Sequence, residues 1–334
     1  MMLRRAGLDL LVGAILLFPS VASAAPALVF EPYSGTVLYA EDPDARWFPA
    51  SLTKLMTAYV TFNALKAGAV TPDTKVVCSK NATTQAPSKL GLPVGGSITL
   101  DVALKVLIVK SANDVAVMIA EAVAGSQDAF IARMNQTAQH LGMTLTHFSN
   151  VNGLPDERQV TTARDLAKLA RAIIVDFPEH ADLFSLIQVQ VGKKTMRTHN
   201  NLLVSFPGAD GMKTGFICES GFNVVASATR DGRKLVAVVL GEPSVASRNV
   251  RATDLLENGF RRYFWKSMFG TNLDGLAIQS SLSDSPTHLR GSVCGVARTT
   301  KSKVKGSGAS RLNELDRRRS SVPPADADSA NEAN

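Results

Sequence analysis

Two short β-prone apolar runs, residues 27–30 and 36–40, are separated by Glu31-Pro32-Tyr33-Ser34-Gly35 and predict a hairpin. The apolar spacing then changes from two to three or four. Leu52, Leu55, Met56, Tyr59, Phe62 and Leu65 recur at that interval and Gly68 supplies a stop, which predicts an amphipathic helix with Ser51 at its N-terminal end. A helix-rich middle follows. Thr99 is placed to cap a helix reaching about residue 109, Asn113 to cap 114–124 ahead of Gly125, and Ser126 to cap 128–141 ahead of Gly142. Thr162 with Asp165 has the spacing of a capping box for a helix that ends before Pro178. Strand patterns return at 208–217, 221–229 and 233–240, the last two joined by a turn containing Asp231-Gly232. Val250, Leu255, Leu256, Phe260 and Phe264 fall on one face of a closing helix. The expected fold is α/β: an antiparallel sheet flanked by helices and interrupted by an inserted helical subdomain, spanning residues 25–268. From about residue 269 to 334, Ser, Arg, Lys, Pro, Asp and Ala dominate, and a low-complexity, disordered tail is expected.

The segment before this pattern reads as a leader. Arg4 and Arg5 precede an apolar run from Leu8 to Phe18, and Ala22-Ser23-Ala24 fits a small-residue cleavage site, so residues 1–24 are expected to direct export to the periplasm. The run is about a dozen residues, short of the roughly twenty that span a bilayer. A formal charge of +7 over 334 residues is a mild basic excess. It suits a solvated surface facing an anionic envelope polymer and gives no reason to expect a nucleic-acid partner. The three cysteines, Cys78, Cys218 and Cys294, include no Cys-x-x-Cys pair and allow at most one disulfide; Cys78 and Cys218 read as small buried hydrophobes. The five histidines show no metal-ligand spacing, so neither a metal nor another cofactor is expected.

Three short patterns occur in order: Ser51-Leu52-Thr53-Lys54, Ser111-Ala112-Asn113 and Lys213-Thr214-Gly215. Each alone is weak, since Ser302 with Lys305 repeats the first and Ser329-Ala330-Asn331 the second. Order and context carry the weight, because the first opens a helix, the second links two helices and the third lies on a strand. A serine hydroxyl needs a base, and a lysine three residues on lies one helical turn away on the same face. Lys54 must be neutral to serve, although its ordinary pKa is about 10.4; burial and a second cation, Lys213, both push it down. Backbone N–H groups at the helix start suit an oxyanion. Ser111 lies between two lysines and is suited to relay a proton, while Asn113 offers a donor and an acceptor to a peptide. Lys213, Thr214 and Gly215 put a cation, a hydroxyl and an open backbone on a strand edge, suited to a peptide with a terminal carboxylate.

This trio resembles that of the penicillin-binding protein and serine β-lactamase superfamily, and most of all its low-molecular-mass D-alanyl-D-alanine carboxypeptidases. Supporting segments are Pro49-Ala50, Asn113-Asp114, 125–130, Asn152-Gly153-Leu154 and Asp210-Gly211-Met212. The resemblance implies a transpeptidase-like domain in which Ser51 forms an acyl-enzyme, Lys54 is its base, and Ser111, Asn113 and Lys213 complete the catalytic cleft. By the same likeness Thr214 and Gly215 meet substrate, the N–H groups of Ser51 and Phe216 form the oxyanion hole, and His199 or Arg197 takes the place of a carboxylate-binding arginine. The implied partners are peptidoglycan stem peptides ending in D-Ala-D-Ala, with β-lactams as acylating inhibitors. Relatives often append a β-rich domain and an amphipathic membrane helix, whereas the tail shows neither alternation nor an apolar face, so no membrane anchor is expected. Three alternatives remain: a serine β-lactamase, a D,D-endopeptidase and a non-catalytic peptidoglycan-binding module. For the first, the segment from His147 to Asn150 lacks the water-activating glutamate, and Glu157 is the nearest carboxylate.

Overall fold

The computed structural model describes residues 25–277, 283 and 285–295. The expected leader lies outside the described residues.

The chain opens with the strands β1 (Ala27–Phe30) and β2 (Val37–Glu41), paired antiparallel. A 3-10 turn at Ala50–Leu52 leads into α1 (Thr53–Lys66). The inserted lobe holds β3 (Lys75–Val77), α2 (Lys80–Thr84), β4 (Ser97–Thr99), α3 (Leu100–Val109), α4 (Asn113–Ala124) and α5 (Gln127–His140). Next come α6 (Ala163–Asp176), α7 (Ala181–Ser185), the hairpin of β5 (Gln188–Val191) and β6 (Lys194–Arg197), and α8 (Leu202–Ser205). The strands β7 (Ala209–Ile217), β8 (Gly221–Arg230) and β9 (Arg233–Glu242) then lead to α9 (Val245–Phe269), and α10 (Arg290–Val293) follows.

The main sheet has the order β2-β1-β9-β8-β7, antiparallel throughout, with β7 at one edge. Its two faces are both covered, and the period of two sorts the side chains between them. On β9, Leu235, Ala237 and Val239 join a core with Leu202 of α8, Phe206 just after it, and Ala252 and Leu256 of α9. Their neighbours Val236, Val238 and Leu240 join the larger core on the other face, shared with α1, α3, α4 and α6. Two-sided burial explains why residues 235–240 of β9 are apolar without alternation.

Four local expectations are corrected. The first concerns α1, which is enclosed rather than amphipathic: Thr53, Lys54, Thr57 and Thr61 are as buried as Leu55 and Met56. The polar positions survive inside because they are satisfied there; Thr57 Oγ1 donates to the Val151 carbonyl at 2.6 Å and Thr61 Oγ1 to the Thr57 carbonyl at 2.7 Å. On α9, Leu256 is buried, but Val250 and Phe264 are exposed, so its apolar face is narrower than expected. The boundary at residue 268 is too early. Leu273 is buried, Leu273 N–H donates to the Gly35 carbonyl, and the Arg164 guanidinium, paired with Asp44, donates to the carbonyls of Leu273, Leu276 and Ala277. Backbone groups supply most of these contacts, and composition does not reveal them. Finally, Cys218 is bonded to Cys294 across 76 residues, whereas Cys78 is free and buried. The expected tail from residue 296 onward lies outside the described residues.

Candidate active site

Ser51, Ser111, Asn113, Thr214 and Gly215, drawn from all three sequence patterns, line one cleft of about 470 Å³ between the edge of β7, the start of α1 and the lobe. Ser51 sits within the 3-10 turn, one residue after Ala50, whose φ of 48° is in the left-handed region. That turn is held from two sides by glycines. A Cβ on Gly153 would lie 1.8 Å from the Ala50 carbonyl oxygen, and one on Gly215 would lie 3.0 Å from the Pro49 carbonyl oxygen and 3.1 Å from Ser51 N. Only backbone without a side chain can approach the serine turn so closely.

One helical turn on, Lys54 is completely buried. Its Nζ lies 3.1 Å from Ser51 Oγ, 2.7 Å from Asn113 Oδ1 and 2.5 Å from the Asn152 carbonyl oxygen. A neutral amine has two hydrogens and one lone pair. Asn113 and Asn152 present acceptors only, so the hydrogens go to them and the lone pair is left for the Ser51 hydroxyl. Burial, and then the charge of Lys213, hold the Lys54 amine well below the usual lysine range, while Asp114 pulls the other way. Asn113 is the first residue of α4 rather than its cap. Its side chain faces Lys54 and donates to the Ala86 carbonyl at 2.9 Å, and the preceding Ala112 occupies the cap position. Asn152 has no place in the sequence trio, because it contributes its carbonyl rather than its side chain.

Ser111 has φ 59°, and its Oγ is buried with no hydrogen-bond partner. Backbone strain and an unpaired buried hydroxyl at a cleft are features that concentrate at functional sites. On β7, Lys213 is buried and its Nζ donates to the Thr214 carbonyl at 2.9 Å. Burial, then Arg248, push its amine down to about 7.

Arg248 escaped the sequence reading. It is 3% exposed on the first turns of α9, lines the cleft beside Thr214, and is held by its neighbour Asn249 Oδ1 at 2.8 Å and 3.1 Å. Among the described residues it forms no ion pair with a carboxylate, and burial lowers its guanidinium to about 10. No short motif marks it, since it enters the cleft only because α9 folds back from the end of β9. His199 also lines the cleft, and burial first, then Lys213, Lys110 and Arg248, hold its imidazole below the ordinary value. Arg197 is exposed on β6 and is absent from the cleft lining.

Phe216 lines the cleft with its ring stacked on Phe222, centroids 4.2 Å apart. Ile217 points its N–H and C=O toward Ser220. By strand alternation the Phe216 N–H therefore faces the open edge of β7. No carboxylate is among the residues lining the cleft; Glu157 is largely exposed and pairs with His288. Among the described residues no three His, Cys, Asp or Glu side chains converge as a metal site.

The family model described as D-alanyl-D-alanine carboxypeptidase, peptidase S11, matches residues 18–244. The D-alanyl-D-alanine carboxypeptidase DacC of Escherichia coli is 39% identical over 68% of this chain and 59% of its own length. DacA of Haemophilus influenzae is 34% identical over 73% of this chain and 64% of its own length. The chain thus spans about three-fifths of these curated relatives. The cefotaxime-bound structure of penicillin-binding protein D2 from Listeria monocytogenes superposes with a TM-score of 0.64 at 30% identity, covering 71% of this chain and 97% of that one. With an antiparallel sheet, an inserted helical lobe and these relatives, the chain belongs to the D-alanyl-D-alanine carboxypeptidase family, peptidase S11.

Proposed function

We propose that this chain is an exported, periplasmic serine D-alanyl-D-alanine carboxypeptidase that removes the terminal D-alanine from peptidoglycan stem peptides through an acyl-enzyme on Ser51. The observation that carries this reading is the Lys54 amine, buried between two acceptors with its third partner the Ser51 hydroxyl. The lone pair takes the hydroxyl proton as Oγ attacks the penultimate D-Ala carbonyl. The N–H groups of Ser51 and Phe216 receive the developing oxyanion. Ser111 passes a proton to the departing amine, and D-alanine leaves. Thr214 and Arg248 form the carboxylate site, with the buried Lys213 next to Thr214 on β7 and His199 at the rim; of the two residues the sequence offered for this role, His199 reaches the cleft and Arg197 does not, and Arg248, which the sequence did not offer, supplies the charge.

The same groups suit a β-lactam, which also presents a carbonyl to Ser51 and a carboxylate to Thr214. Penicillin-binding protein D2 of Listeria monocytogenes has been solved in cefotaxime- and ampicillin-bound forms. A cleft lining without a carboxylate base supports slow hydrolysis of such an adduct, since a general base contributes roughly 10²–10⁴-fold in rate. The reading is tested by incubating purified protein with a pentapeptide ending in D-Ala-D-Ala and measuring free D-alanine. Release by the wild type and none by Ser51→Ala is expected. A folded wild type that releases no D-alanine would return the chain to a binding role.

A further inference from the structure

The carboxylate site is bordered by more apolar surface than a D-alanine methyl group can use. Thr214 and Phe216 alternate onto one face of β7, and Phe222 is the cross-strand partner of Phe216, so the stacked rings stand beside the Thr214 hydroxyl. Val245 lies on α9 one turn before Arg248 and lines the same cleft. Phe216 is 42% exposed and Val245 39% exposed, and both face the cleft. Two aromatic rings and a valine lining the same cleft as the Thr214 hydroxyl and the Arg248 guanidinium form a site with a polar anchor and an apolar wall.

The chemistry fixes what reaches that wall. With the scissile carbonyl at Ser51 and the carboxylate at Thr214 and Arg248, the α-carbon of the leaving residue is held between them, in the cleft that Phe216, Phe222 and Val245 also line. We infer that Phe216, Phe222 and Val245 form a subsite for the side chain of the leaving residue, so that the enzyme accepts C-terminal D-residues with larger aliphatic side chains as well as D-alanine. This inference rests on the carboxypeptidase reading and adds the substrate class to it. The reaction is unchanged: the Ser51 Oγ–carbon bond forms, the carbon–nitrogen bond breaks, and the nitrogen departs protonated as the free D-amino acid.

The test compares two pentapeptides that differ only in the last residue, D-alanine or D-leucine, with the released amino acid measured by liquid chromatography and mass spectrometry. We expect kcat/KM for the D-leucine peptide to lie within tenfold of that for D-alanine or above it. The ratio of the two should fall by about tenfold in Phe216→Ala, the effect of losing apolar contact worth one or two methylene groups. Val245→Ser, at a partly exposed position, provides a second variant if Phe216→Ala fails to fold, and its ratio should fall in the same direction. A wild-type ratio below one tenth, or a ratio unchanged in the folded variants, overturns the inference while leaving the carboxypeptidase reading in place. Failure to release D-alanine from the parent peptide overturns both.

Discussion

Lys54 and Lys213 are buried amines, and each is costly to keep. An unfolded lysine is charged below about pH 10.4. The folded protein has pushed Lys213 down to about 7. Below about 7 both states carry the proton, and folding pays the full penalty of a buried cation. Between about 7 and 10.4 the penalty shrinks as pH rises, because only the unfolded state is charged. Lys213→Met should therefore raise the melting temperature at pH 6, with a gain on the order of a few kcal/mol that fades toward pH 10, measured by calorimetry across that range. The same variant removes a cation that lowers Lys54. Acylation needs neutral Lys54, so the acid limb of the penicillin acylation rate should move to higher pH while the rate itself drops. A lower melting temperature at pH 6, or an unmoved acid limb, would contradict this account of the two amines. The side chains of this site were legible from sequence where chemistry demands a residue type at a fixed spacing, as with Ser51 and Lys54. Arg248 and the Asn152 carbonyl were not, because one is delivered by a distant helix and the other is backbone.

At the scale of elements, the cleft is the meeting of a strand edge, a helix start and a loop. The loop matters because Gly153, at φ +85°, presses against the Ala50 turn that carries Ser51. Gly153→Ala should fold less stably, since a left-handed alanine costs about 1–2 kcal/mol before any clash, and should acylate more slowly because the serine turn must shift. Stopped-flow acylation and thermal melting on the same preparation check both; wild-type values for each would show that the contact is unimportant. The elements themselves were largely readable. Thr99, Ser126 and Thr162 each accept from the predicted cap N–H, and β7, β8 and β9 begin and end within two residues of the sequence boundaries. What periodicity could not reveal is whether a helix is half-covered or enclosed. The threonines of α1 occupy positions that look polar yet bond internally, so an enclosed helix was read as amphipathic.

For the molecule as a whole, the body extends past α9. Residues 271–277 lie against β2 and α6, and the disulfide from Cys218 ties residues 285–295 to the turn after β7, next to the cleft. Ending the chain after Gly270 removes a buried leucine, worth about 2 kcal/mol, and three carbonyl partners of the buried Arg164. The melting temperature should fall by about 5 °C or more; an unchanged value would mean that this segment adds nothing to the fold. A tail defined by composition hides such contacts, because backbone carbonyls and one cysteine have no signature in a list of residue types. The central claim, that Ser51 is a nucleophile activated by a neutral Lys54 in a cleft without a deacylating carboxylate, is tested most directly by intact-protein mass spectrometry after exposure to benzylpenicillin. The account predicts one persistent adduct whose mass equals the intact drug, mapped to Ser51 and absent from Ser51→Ala. Rapid turnover of the drug with no adduct, or an adduct that survives in Ser51→Ala, would contradict it.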